Sequence, residues 1–120
     1  MSKKILIVED EPELVKALQI RLQENYKLIV ASDGEEGLKK AKEIVPDLII
    51  LDIILPGTDG YQVCQALKRD EKYKHIPVIM LTVKAQQQDI VKGYKDGANI
   101  YLTKPFEIQE LLSSVKTLIK

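Results

Sequence analysis

Only one cysteine, Cys64, occurs in 120 residues, which excludes an internal disulfide and a cysteine-built zinc site and fits a reducing compartment. Charge of neither sign is in excess, because 18 lysines and arginines balance 18 aspartates and glutamates. The electrostatic footprint that holds a nucleic-acid backbone is therefore missing, and direct nucleic-acid binding is not expected. No apolar run approaches the roughly 18 residues of a membrane span. Met1-Ser2-Lys3-Lys4 leads straight into Ile5-Leu6-Ile7-Val8 and then Glu9-Asp10, without a signal-peptide core or cleavage site. The expectation is a soluble cytoplasmic chain with no membrane partner. Glycine-rich nucleotide loops are absent, since neither G-x-G-x-x-G nor a P-loop occurs. No repeat, linker or low-complexity stretch divides the chain, so residues 1–120 read as one domain, long enough to bury roughly two-thirds of its unfolded surface.

What is present is an alternation. Short runs rich in branched and leucine side chains (Lys4 to Val8, Lys27 to Ala31, Leu48 to Leu51, Val78 to Leu81, Ile100 to Leu102) are separated by segments with helical spacing. The helices are expected near Pro12 to Glu24, Glu35 to Ile44, Tyr61 to Lys68, Gln87 to Lys95 and Glu107 to Ile119. Local signals agree. Pro12 suits a first turn, and Asp33 with Glu36 and Asp59 with Gln62 have capping-pair spacing. Ile108, Leu111, Leu112, Val115, Leu118 and Ile119 fall on one helical face. Continuous apolar strands alternating with helices predict an α/β fold, a doubly wound, five-stranded parallel sheet covered on both faces.

In such a sheet, ligands bind outside the carboxyl ends of the strands. Those ends carry Glu9-Asp10, Asp52, Thr82 and Thr103-Lys104-Pro105. Asp52 is the most telling, because it follows Leu48-Ile49-Ile50-Leu51 at the end of a strand that must be buried, and a buried carboxylate requires a cation. Carboxylates brought close together repel unless a positive charge lies between them. A hard divalent ion such as Mg2+ takes one or two carboxylates and leaves room for a phosphoryl group, while Lys104 is a point-charge partner for phosphate. The cluster has the composition needed for phosphoryl chemistry.

The ordered set Glu9-Asp10, Asp52, Leu55-Pro56-Gly57-Thr58-Asp59-Gly60, Thr82 and Lys104-Pro105-Phe106 resembles the receiver domain of bacterial two-component response regulators over essentially the whole chain. The resemblance implies a flavodoxin-like (β/α)5 sheet with strand order 2-1-3-4-5. It implies that Asp52 accepts a phosphoryl group from the phosphohistidine of a sensor histidine kinase or phosphotransfer protein. Mg2+ would be held by Glu9, Asp10, Asp52 and the backbone carbonyl of Ile54. Thr82 and Lys104 would meet the phosphoryl oxygens, Thr82 and Tyr101 would form the switch, and Lys104-Pro105 would be a cis peptide. The output would run to a downstream protein or output domain through the face formed by the fourth helix, fifth strand and fifth helix. The chain would catalyse only its own phosphorylation and dephosphorylation.

Some positions depart from the family pattern. Val83 stands where a small residue is usual and narrows access, and Ile54 and Lys84 are poorly suited to orient an attacking water, so a long-lived acyl phosphate is expected. Gly97-Ala98 is followed by Asn99-Ile100 rather than two acids, which argues against the ion-paired symmetric dimer of winged-helix regulators. Two other readings are weaker. A magnesium-dependent phosphohydrolase would need a second carboxylate where Ile54 stands, and a flavin-binding module would need a hydroxyl-rich loop where Glu9-Asp10 stand. A single-domain regulator and a receiver cut from a longer regulator or hybrid kinase both fit the sequence. His75 reads as a solvent-exposed loop residue and Cys64 as a small core hydrophobe.

Overall fold

The computed structural model describes residues 2–83 and 97–119. Five strands, β1 (Lys3–Val8), β2 (Tyr26–Ala31), β3 (Leu48–Asp52), β4 (Val78–Val83) and β5 (Ile100–Lys104), form one parallel sheet in the order β2-β1-β3-β4-β5. Among the described residues the helices are α1 (Pro12–Leu22), α2 (Gly34–Ile44), α3 (Gly60–Lys68) and α4 (Ile108–Leu118). The helix expected over Gln87 to Lys95, and Lys84 before it, lie outside the described residues.

The strands are apolar on both sides because both sides are covered. Leu6, Val8, Ile49, Leu51, Val78 and Met80 pack with Ala41 of α2 and Val63, Cys64 and Leu67 of α3. The alternate residues Ile5, Ile7, Leu48, Ile50, Ile79 and Leu81 pack with Leu18 and Leu22 of α1 and Leu111 and Val115 of α4. Period-two alternation thus divides each strand between two cores. Each buried leucine or isoleucine stabilises the fold by about 1.5–3 kcal/mol relative to exposure.

Helix starts follow the capping signals. The Asp33 carboxylate accepts from the Glu36 N–H at 2.8 Å. Asp59 and Gln62 close a full capping box, with bonds of 2.9 and 3.2 Å. At its other end α2 stops on Val45 with φ 50, ahead of Pro46.

The differences from the sequence reading lie at element ends. Asp52 is the last residue of β3 rather than the first after it, because it pairs in register with Leu81. The last two strands are longer than their apolar runs: Thr82 pairs with Thr103 and Val83 with Lys104. Backbone pairing carries the sheet past its apolar residues and brings polar side chains onto a rigid rim. The first helix ends at Leu22, where Asn25 N–H turns back to the Leu22 carbonyl.

Candidate functional site

The rim at the carboxyl ends of β1, β3, β4 and β5 is where the candidate residues meet. Glu9 directly follows β1 and is still held to the sheet, its N–H donating to the Ala31 carbonyl at 3.0 Å. Its side chain is buried while Asp10 beside it is exposed. Asp52 is fixed by the ladder on one side and by α3 on the other. Ile53 N–H donates to Leu81, and Gly60 N–H donates to Ile53 at 2.9 Å. Glycine is required at position 60, since a Cβ there would lie 2.3 Å from the Asp52 carbonyl oxygen. The loop between β3 and α3 is confined similarly, for a Cβ on Gly34 would overlap the Thr58 carbonyl.

One carboxylate oxygen from each of Glu9, Asp10 and Asp52 lies within 4.8 Å of the others. The Lys104 ammonium reaches into this group from the end of β5. It donates to Asp52 Oδ2 at 3.1 Å and to the Glu9 oxygens at 3.2 and 3.3 Å. The second Asp52 oxygen accepts from the Ile54 N–H at 3.1 Å. This answers the question that the sequence raises about Asp52, whose buried charge is met by one ammonium and one peptide N–H.

Electrostatics register the crowding. Burial, reinforced by the Asp52 carboxylate and opposed by Lys104, pushes the Glu9 carboxyl up from 4.5 to about 8. For Lys104, burial works to lower the ammonium's value, but the carboxylates of Asp52 and Glu9 outweigh it and hold that value above the ordinary one. A pocket in which one lysine serves several carboxylates and one of them is driven toward its neutral form fits a hard divalent cation, which would let all of them ionise.

The remaining candidates lie on β4 and β5, in the turn after β3, and, for His75 and Cys64, away from the rim. Thr82 is fully buried and its hydroxyl donates to the Val83 carbonyl at 3.2 Å. Tyr101 lies opposite Met80 in the sheet, half-buried with its ring against the core beneath α2 and α3. The Lys104–Pro105 peptide is cis. Val83 is half-buried and Ile54 is 54% exposed. His75 is exposed and Cys64 is buried in the core.

Glu11 was not among the sequence candidates. It occupies the N-cap position of α1 without capping it, and instead accepts from Lys104 at 3.3 Å. The available signal was its position, two residues after Glu9 on the same rim.

A family model for the response regulator receiver domain matches residues 5–116. This chain belongs to the response regulator receiver domain family. Over 118 residues it is 44% identical to the DNA-binding dual master transcriptional regulator RpaA of Synechocystis sp., covering 98% of this chain and 49% of that protein. Over 121 residues it is 46% identical to the alkaline phosphatase synthesis transcriptional regulatory protein PhoP of Bacillus subtilis, covering 100% and 50%. The receiver chain thus spans about half the length of these curated relatives.

Two solved structures show the same fold. The chemotaxis protein CheY4 of Vibrio cholerae superposes with a TM-score of 0.90 at 30% identity, covering 99% of this chain and 100% of that one. The receiver domain of a sensor histidine kinase from Pseudomonas aeruginosa, with a magnesium ion coordinated in its active site cleft, gives a TM-score of 0.85 at 31% identity, covering 99% and 98%. Receiver domains bind Mg2+ at an acidic site, and an acidic cluster is present here. No helix among the described residues is long and apolar enough to cross a membrane.

Proposed function

We propose that this single receiver domain, residues 1–120, accepts a phosphoryl group on Asp52 from the phosphohistidine of a sensor histidine kinase or phosphotransfer protein. The observation that carries the reading is the setting of the Asp52 carboxylate. It is buried at a strand end, with one oxygen on Lys104 and the other on the Ile54 N–H, and with Glu9 and Asp10 beside it. An Asp52 oxygen forms the new O–P bond as the P–N bond of the phosphohistidine breaks and the imidazole leaves with the electron pair.

Phosphoryl transfer requires chiefly positioning and charge neutralisation. Lys104 supplies the fixed positive charge. Glu9, Asp10, Asp52 and the Ile54 carbonyl would hold Mg2+, which supplies further neutralisation of the phosphoryl oxygens. As an acyl phosphate Asp52 no longer carries the carboxylate charge that the ammonium meets, so Lys104 turns to a phosphoryl oxygen. The Thr82 hydroxyl exchanges its bond to the Val83 carbonyl for one to the phosphoryl group, and Tyr101 turns into the space that this movement opens. The phosphoryl group brings about 1.5 to 2 negative charges while the carboxylate's own charge is lost, so about one negative charge is added and the charge moves outward onto the phosphoryl oxygens, which biases the two states.

The output runs to a downstream protein or output domain, as the relatives' names as transcription regulators suggest, across β5, α4 and the helix expected over Gln87 to Lys95. The domain itself makes no nucleic-acid contact and works in the cytoplasm. Its own dephosphorylation is slow, because Ile54 presents an exposed apolar side chain beside Asp52 and offers nothing to orient water. Incubation with acetyl phosphate and Mg2+, followed by intact mass, should show one added phosphoryl group in the wild type and none in Asp52→Ala. An unmodified wild type would overturn the reading.

A further inference from the structure

Lys104 has three N–H donors, and all are engaged: by Glu9, by Asp52 and, at 3.3 Å, by Glu11. The three acceptors differ in exposure. The side chains of Glu9 and Asp52 are 0% and 7% exposed, whereas that of Glu11 is 62% exposed. Glu11 is therefore the outer member of the group, with its charge on the lip of the pocket. Together with Lys104 it lines a cavity of about 590 Å³ whose walls include Leu14, Pro105, Phe106 and Ile108. Low-dielectric walls concentrate the field of a charge placed among them.

We propose that Glu11 is a specificity-determining residue, an anionic gate that disfavours small free phosphodonors and leaves Asp52 to protein-borne ones. This rests on the Asp52 reading above. A free donor such as acetyl phosphate brings a net negative charge to the lip and has no hydrogen-bond donor with which to cover Glu11, whereas phosphoramidate carries less charge and N–H donors of its own. A protein donor can cover Glu11 with its own hydrogen-bond donors while its phosphoryl group approaches Lys104. The Glu11–Lys104 contact is exposed enough to be displaced readily, so the gate is the charge rather than the bond. A glutamate at an N-cap that leaves its helix uncapped to reach Lys104 is consistent with that task.

The test compares initial rates of Asp52 modification by intact mass, at saturating Mg2+, for the wild type, Glu11→Gln and Glu11→Asp. The donors are acetyl phosphate and the less negatively charged phosphoramidate. In the first, the new O–P bond forms as acetate leaves with the electron pair of the broken P–O bond; in the second, the P–N bond breaks and nitrogen leaves as ammonia. Glu11→Gln is expected to raise the acetyl phosphate rate about three- to tenfold and the phosphoramidate rate less. The gain should fade between about 0.02 M and about 0.5 M salt, and Glu11→Asp should restore wild-type behaviour. An unchanged or lower acetyl phosphate rate in Glu11→Gln overturns the gate, as does a rise that is equal for both donors and independent of salt. A wild type that accepts no phosphoryl group from either donor overturns the Asp52 reading and the gate with it.

Discussion

Lys104 and Lys68 are both half-buried lysines, yet they meet opposite fates at opposite ends of β5. Lys104, at its carboxyl end, is surrounded by carboxylates and holds its proton more tightly than usual. Lys68, at the last position of α3, donates to the carbonyls of Ile76 at 2.6 Å and Lys74 at 3.1 Å and to Asn99 Oδ1 at 3.4 Å. None of these partners is charged. Burial, opposed by the nearby Cys64, lowers its value from the ordinary 10.5. Asn99 in turn accepts from the Val78 N–H at 2.9 Å, so Lys68 pins together the starts of β4 and β5. A lysine among neutral acceptors fastens loops. A lysine among carboxylates balances charge, and only the second can be redirected when a new anion arrives.

The largest test of that contrast is Lys104→Met. It leaves Glu9 and Asp52 buried without their cation and should cost about 2–4 kcal/mol near pH 8 without Mg2+. The cost should shrink at about pH 5, where Glu9 carries a proton; urea unfolding at both values checks this.

Glu9 itself gives the next effect. Its folded value, about 8, lies above its ordinary 4.5. The folded state therefore binds the proton more tightly, and its contribution to stability is full below about 4.5 and lost as pH rises through about 8. Without Mg2+, Glu9→Gln should flatten that decline, by about 1–3 kcal/mol across the range, and Mg2+ should flatten it in the wild type. Lys68→Met should cost about 1–2 kcal/mol by stranding the part-buried Ile76 carbonyl, equally at the two pH values. A matching pH dependence in the two lysine variants would erase the distinction. Asn99→Ala should cost about 1 kcal/mol, since the Val78 N–H loses its acceptor.

The parallel sheet was legible because Ile5 to Val8 and Leu48 to Leu51 are too uniformly apolar for a sheet with one wet face, and because Asp33 and Asp59, each with its capping partner three residues on, mark the helices that begin at the next residue. The convergence of Glu9, Asp10, Asp52, Thr82 and Lys104 followed from parallel topology, which brings strand ends to one rim. Less could be read where partners are distant in sequence and ordinary in type. Glu11 looks like any helix-start acid, and its bond to Lys104 depends on how β5 ends. Lys68 looks like a solvated helix terminus until β4 and β5 bring carbonyls beneath it. Gly60 looks like a turn glycine, and only the packed structure shows that it lies against Asp52.

That last contact would give the proposed switch a direction. Because the first residue of α3 lies directly against the Asp52 carbonyl, the backbone at Asp52 has no slack on that side, and close-packed interiors yield by moving whole pieces rather than by compressing. In the proposed transfer, bulk added at Asp52 would find no room on the α3 side of its backbone and would be relayed the other way, toward β4 and β5. A protein with a side chain at position 60 would lose its backstop, and the same chemical event at Asp52 would dissipate locally instead of travelling.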